Sequence, residues 1–111
     1  MNMSLDEMAG CLAELGHPTR LQILRYLVKS GHAGAAVGDI QEALGIPGST
    51  LSHHLSRMVK VGLVEQVRES RTLHCFPRFE VIESIANFLM EECCVNEACA
   101  IDTDDDTSTA R

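Results

Sequence analysis

The chain has 111 residues, about one domain's worth, and a hydrophobic content of 45% excludes wholesale disorder. Sixteen Asp and Glu against nine Lys and Arg give a formal charge of -7, which at face value opposes contact with DNA or anionic membranes. No run of 18 apolar residues exists, and the N-terminal stretch carries Asp6, Glu7 and Glu14 with no basic residue. Neither a spanning helix nor a signal peptide is therefore predicted, and a cytoplasmic location is expected. In that compartment five cysteines, an odd count, point to free thiols, metal ligands or redox sensors rather than a disulfide framework.

Leu5, Met8, Leu12 and Leu15 recur at helical spacing and predict a first helix over about 4–15. Ser4 is its N-cap, and Glu7 completes a capping box. Gly16 ends it, and Pro18 takes a first-turn position in a second helix whose one face holds Leu21, Leu24, Leu27 and Val28, up to Gly31. Residues 31–36 read as a small, flexible connection. Val37, Ile40 and Leu44 mark a short third helix closed by Gly45. After Ile46-Pro47-Gly48 a fourth helix turns Leu51, Leu55 and Met58 inward and stops at Gly62. Residues 63–67 and 72–76 are β-like and form a hairpin around the polar turn Arg68-Glu69-Ser70-Arg71, with Pro77 breaking the second strand.

A fifth helix runs from about Arg78 into the cysteines near 93. Val81, Ile82, Ile85, Ala86, Phe88, Leu89 and Met90 make it apolar around most of its circumference, so it needs burial on two sides. Its own domain supplies one side and a second subunit the other. The tail 102–111 is acidic, lacks an apolar period and is expected to be disordered. This divides the chain into a folded domain over 1–94 and a C-terminal segment with its acidic tail over 95–111.

Two short helices around Gly45-Ile46-Pro47-Gly48, followed by a hairpin, form a winged helix-turn-helix pattern: mainly α with a β-hairpin wing, and homodimeric. With Leu51, Leu55 and Met58 turned in, Ser49, Thr50, Ser52, His53, Ser56 and Arg57 face out or flank. Hydroxyls, an imidazole and a guanidinium with no acid among them suit phosphates and base edges. His54 falls near the inward stripe and reads as a packed, hydrogen-bonded histidine. Arg68 and Arg71 in the hairpin could grip a neighbouring phosphate. The charge is also unevenly placed: residues 17–81 hold eight of the nine bases and are net +3, residues 1–16 are -3, and residues 82–111 are -7. The acid is not on the reading segment.

These residues carry a likeness. Leu15-Gly16-His17-Pro18-Thr19-Arg20-Leu21-Gln22-Ile23-Leu24 resembles the start of the second helix in the ArsR/SmtB family of metalloregulatory repressors. Ser49-Thr50-Leu51-Ser52-His53-His54-Leu55 resembles its recognition helix, and Gly62-Leu63-Val64 with a basic hairpin its wing. The likeness spans roughly residues 5–92. It implies a homodimer with the first and fifth helices at the interface, and a repressor of operator double-stranded DNA that is released by an inducer. No membrane partner is expected, and the lack of a Cys-x-x-Cys on a βαβ pattern, a Gly-rich phosphate loop or a paired-carboxylate pocket argues against an enzyme.

The family's thiolate box on the third helix would fall at Ala36-Val37-Gly38-Asp39, where both cysteines are missing. Its zinc site on the fifth helix needs histidines, and none follows His74. Cys93, Cys94 and Cys99 remain, and some arsenic-responsive members resemble this chain in such a trio. Soft thiolates select thiophilic ions, and trivalent arsenic takes three sulfurs in a pyramid, with antimony as a co-inducer. Zinc, cadmium or lead, and a reactive-thiol or persulfide sensor, are the alternatives on the same scaffold. Glu91, Glu92 and Glu97 should disfavour thiolates, which weighs against a thiol switch. Cys11 and Cys75 read as small packing residues.

Overall fold

The computed structural model describes residues 2–97. The tail 102–111 and Cys99 lie outside the described residues. Helix α1 (Leu5–Leu15) starts on the expected box: the Glu7 amide donates to Ser4 Oγ at 3.0 Å, and the Ser4 amide to Glu7 Oε1 at 2.8 Å. Helix α2 (Pro18–Ser30) has Pro18 in its first turn, and His17 caps it by accepting the Thr19 amide on Nδ1 at 3.1 Å. Helices α3 (Val37–Leu44) and α4 (Gly48–Lys60) follow, then strands β2 (Val64–Glu69) and β3 (Thr72–Pro77), and helix α5 (Phe79–Met90). Gly62, at φ 86°, turns the chain out of α4 so that the Leu63 amide reaches back to the Met58 carbonyl at 3.0 Å. The architecture is the expected winged helix-turn-helix.

One core serves every element. Ile23 and Leu27 of α2, Ile40 of α3, Leu51, Leu55 and Met58 of α4, and Leu63 at the foot of the wing are almost completely buried. Each such side chain contributes about 1.5–3 kcal/mol through removal from water.

Four expectations need correction. On α2 the buried stripe is Ile23, Leu24 and Leu27, while Leu21 and Val28 are exposed. At about 100° per residue, the stripe's centre lies one position away from where the leucines alone suggest. On α1 Met8 and Cys11 face the core and Leu5 and Leu12 face out. Residues 31–36 are not a flexible connection: Gly31–Ala33 form a 3-10 turn, and β1 (Ala35–Ala36) pairs antiparallel with β3, Ala35 opposite Cys75. The sheet therefore has three strands in the order β1-β3-β2. Two alanines carry too weak a pattern to announce a strand; the pairing is set by β3. Lastly, the wing ladder continues to Glu69 opposite Thr72, so Arg68 lies on a strand and the turn is Ser70-Arg71.

Gly34 makes the short strand feasible. Its φ is +68°, and a Cβ there would overlap the Cys75 carbonyl oxygen and stand 2.6 Å from the Phe76 ring. Gly34→Ala is expected to lower stability by about 2 kcal/mol, with an unchanged urea m-value, in equilibrium unfolding followed by circular dichroism.

Candidate functional site

Helix α4 sorts its side chains by face. Leu51, His54, Leu55 and Met58 are buried, and Ser49, Thr50, Ser52, His53, Ser56 and Arg57 are all exposed, as the sequence predicts. The helix begins on Pro47 without a side-chain cap, so its first backbone N–H groups and positive dipole end are open to an anion such as a phosphate. Arg68 and Arg71 are exposed on the β2–β3 wing, Arg68 near the end of β2 and Arg71 in the turn. The face combines small hydroxyls able to approach base edges with guanidinium groups able to grip the backbone of a duplex.

Beneath this face lies a polar cluster that spacing alone does not reveal. Arg20 is nearly buried; its Nε donates to the Glu14 main-chain carbonyl at 2.6 Å, and its Nη1 donates to His54 Nδ1 at 3.1 Å. His54 is 6% exposed, and its ring lies 4.7 Å from that of His17. Burial, and then the positive potential of His17, Arg20, His53 and Arg57, hold the His54 imidazole below its ordinary pKa of 6.5. It is the packed histidine expected. Arg57 is exposed as expected, but its fork is engaged by Glu14 of α1: Nε donates to Oε1 at 2.8 Å and Nη2 to Oε2 at 3.1 Å. The Arg57 hydrogen bonds keep the Glu14 carboxyl below the usual range, assisted by the charges of Arg57, Arg20 and Lys60.

The cysteines divide by burial. Cys11 is fully buried and its thiol donates to the Val61 carbonyl at 3.2 Å; Cys75 is fully buried beside Gln66. Burial raises both pKa values, so both are protonated packing residues. Cys93 and Cys94 are exposed, in turns beyond α5. That helix ends at Met90 rather than near 93. Cys94 adopts φ 63°, and the two Sγ atoms stand 3.4 Å apart. A regular helix would splay neighbouring side chains by about 100°. The Cys94 thiol is pushed up to about 11 by Glu97 and then Cys93; of the three acids expected to disfavour thiolates, Glu97 is the one that acts on it. Cys99, the expected third ligand, lies outside the described residues. Among the described residues no three His, Cys, Asp or Glu side chains gather as a metal site.

Residues 15–67 match the family model described as a helix-turn-helix domain. The HTH-type transcriptional regulator YgaV of Escherichia coli is 30% identical over 94 residues, covering 85% of this chain and 93% of that protein. The chain belongs to the HTH-type transcriptional regulators. The crystal structure of an ArsR family transcriptional regulator superposes with a TM-score of 0.72 at 19% identity, over 90% of this chain and all of that one, and so shares the fold. A homodimeric winged helix-turn-helix DNA-binding domain from Mycobacterium bovis is 28% identical, with a TM-score of 0.65 over 87% of this chain and 90% of its own. Relatives and neighbours in this family are regulators and not enzymes. No helix among the described residues is long and apolar enough to cross a membrane.

The buried imidazole sets a pH dependence. The unfolded chain binds a proton at His54 near 6.5, whereas the folded chain resists it, so unfolding gains protons as pH falls. Stability is expected to decline below pH 6.5 by the slope of a single proton, levelling once the native imidazole also titrates. His54→Gln should flatten that slope in denaturant titrations run from pH 7 down to 5.

Proposed function

We propose that the chain is a homodimeric transcriptional repressor that occupies operator DNA through α4 and the wing, and leaves it when trivalent arsenic binds Cys93, Cys94 and Cys99. The observation that carries this reading is the Cys93–Cys94 pair: two exposed soft donors 3.4 Å apart, a spacing at which one pyramidal centre touches both sulfurs. Chain geometry favours a bridging atom over direct oxidation of the pair. Neighbouring Cα atoms across a trans peptide are about 3.8 Å apart, short of the ~4.4 Å at which disulfides become unstrained, and the described peptides are all trans.

The acids around the pair select the form of the inducer. With Cys94 raised to about 11, the resident species at neutral pH is the thiol. Arsenous acid is uncharged at that pH and exchanges each hydroxyl for a thiol with release of water, the thiol proton leaving with the hydroxyl. A dication such as zinc would have to displace those protons outright and would look for four ligands. Antimony shares the chemistry and should act as a co-inducer.

The dimer rests on the surfaces left open. Leu5 and Leu12 of α1 and Phe88, Leu89 and Met90 of α5 are exposed, a run of large apolar groups that a monomer would leave in water. Burying them between two copies places α5, and the thiols after it, beside the interface that sets the separation of the two α4 helices. Binding that reorders the end of α5 then changes how the pair fits successive major grooves, about 34 Å apart. A coupling of about 1–3 kcal/mol would loosen DNA roughly 5- to 150-fold.

Arsenite added to the protein on fluorescent operator DNA should release it, and Cys93→Ser or Cys94→Ser should abolish release while leaving apo binding intact. Release that persists in the triple Cys→Ser protein would sink the reading. Leu89→Glu is expected to shift the chain toward monomer in sedimentation velocity and to weaken DNA binding at least tenfold.

A further inference from the structure

The ion pair between Glu14 and Arg57 joins two elements with different tasks. Glu14 sits in the last turn of α1, the helix whose Leu5 and Leu12 face out, and Arg57 projects from the outward face of α4. One turn earlier on α1, the Cys11 thiol donates to the Val61 carbonyl at the end of α4. Cys11 and Glu14 on one helix thus meet Val61 and Arg57 on the other, a two-point latch along a single α1–α4 contact. Glu14 is itself fixed: its side chain is 16% exposed, and Arg20 binds its main-chain carbonyl at 2.6 Å with its own carboxylate 3.5 Å away. Arg57 is 49% exposed on the same scale, so the buried partner orders the exposed one.

We infer that Glu14 is a positioning residue for DNA recognition, holding the Arg57 guanidinium by its Nε and Nη2 so that its remaining Nη1 donors are presented to a backbone phosphate. The inference rests on reading α4 as the DNA-contacting helix. An unrestrained arginine loses much rotamer freedom when it binds; one already held in a bidentate fork has surrendered it before DNA arrives. The carboxylate itself is an anion close to a polyanion, so simple electrostatics makes the opposite forecast, and the two are separable.

The test uses the full chain and a duplex that it selects from a random-sequence pool, with affinity measured by fluorescence anisotropy across a salt series. Glu14→Gln keeps the shape and removes one negative charge. Presentation of Arg57 predicts weaker binding, about three- to tenfold, with Glu14→Asp recovering most of it. Arg57→Ala should weaken binding at least as much and flatten the dependence of log K on log salt by about 0.9, one phosphate's worth. The double variant Glu14→Gln, Arg57→Ala should be no weaker than Arg57→Ala alone. Melting curves confirm that each variant is folded; should Glu14→Gln unfold, the Asp variant carries the comparison. Unchanged or tighter binding by Glu14→Gln, with Arg57→Ala still damaging, overturns the positioning role alone. If Arg57→Ala also binds as the parent does, Arg57 is not a DNA contact, and both the inference and that part of the interface fall.

Discussion

The burial of one face of α4 is the constraint from which the rest of the DNA-binding half follows. Leu51, Leu55 and Met58 are at or below 1% exposure, and rotating the helix by one residue would put Ser52 and Ser56, or Thr50, His54 and Arg57, in their place. That rotation would forfeit several kcal/mol of apolar burial, which fixes which side chains a duplex can meet. Ser49, Thr50, Ser52 and His53 are outward because the opposite side cannot be. The core beneath is built from α2, α3 and the foot of the wing, so the hairpin's position relative to α4 is set by the same packing; Leu63 buries next to Met58's turn, and the chain leaves directly into β2.

The same constraint creates a difficulty, and the polar cluster answers it. His54 lies on the buried face, where an imidazole without a partner would be costly. Arg20 supplies the hydrogen bond but is a charge nearly out of water, and it in turn is satisfied by the Glu14 carbonyl and carboxylate. The Glu14 carboxylate is then shared with Arg57 at the surface. A chain of contacts therefore runs from a buried histidine to an exposed guanidinium through the C-terminus of α1. Removing the carboxylate would leave Arg20 with less compensation as well as freeing Arg57, so α1 is part of the reading head's foundation in addition to presenting an apolar outer face.

How much of this was legible in the sequence depends on which force sets each feature. Helix positions and stops rest on local signals, and the Ser4–Glu7 box, Pro18 and the glycines at 45 and 62 act within a few residues, so they read directly. The faces of α4 read equally well because leucines and hydroxyls alternate at a clean helical spacing. The strand at Ala35–Ala36 did not, because its cause lies forty residues away in β3. The outward turn of Leu5, Leu12, Leu21 and Val28 was missed because a leucine announces apolarity and not which apolar surface it meets. The Glu14–Arg57 pair joins residues 43 positions apart, with no local pattern to announce it. Of the thiol site, the buried fate of Cys11 and Cys75 was legible from their apolar neighbours. The convergence of Cys93 and Cys94 needed the helix to end, and the end at Met90 carries neither a glycine nor a proline to mark it.

The placement of acid resolves the apparent conflict in an acidic chain that reads DNA. The bases lie almost wholly between residues 17 and 81, and the negative charge is concentrated before and after that segment. With a reading segment of only +3, non-specific attraction is weak, since each phosphate neutralised contributes one unit to the salt dependence and few bases are present to do so. In the proposed dimer, affinity then comes from geometry: two α4 helices at a fixed separation, and Arg57 held by Glu14 before contact. A repressor that depends on geometry more than on bulk charge is also one that a small displacement can dislodge. Acid beside the thiols costs such a protein nothing in DNA affinity if it stays remote from the duplex, and Glu97 holds the Cys94 thiol well above its ordinary value, in the protonated form that the proposed exchange of hydroxyl for sulfur uses.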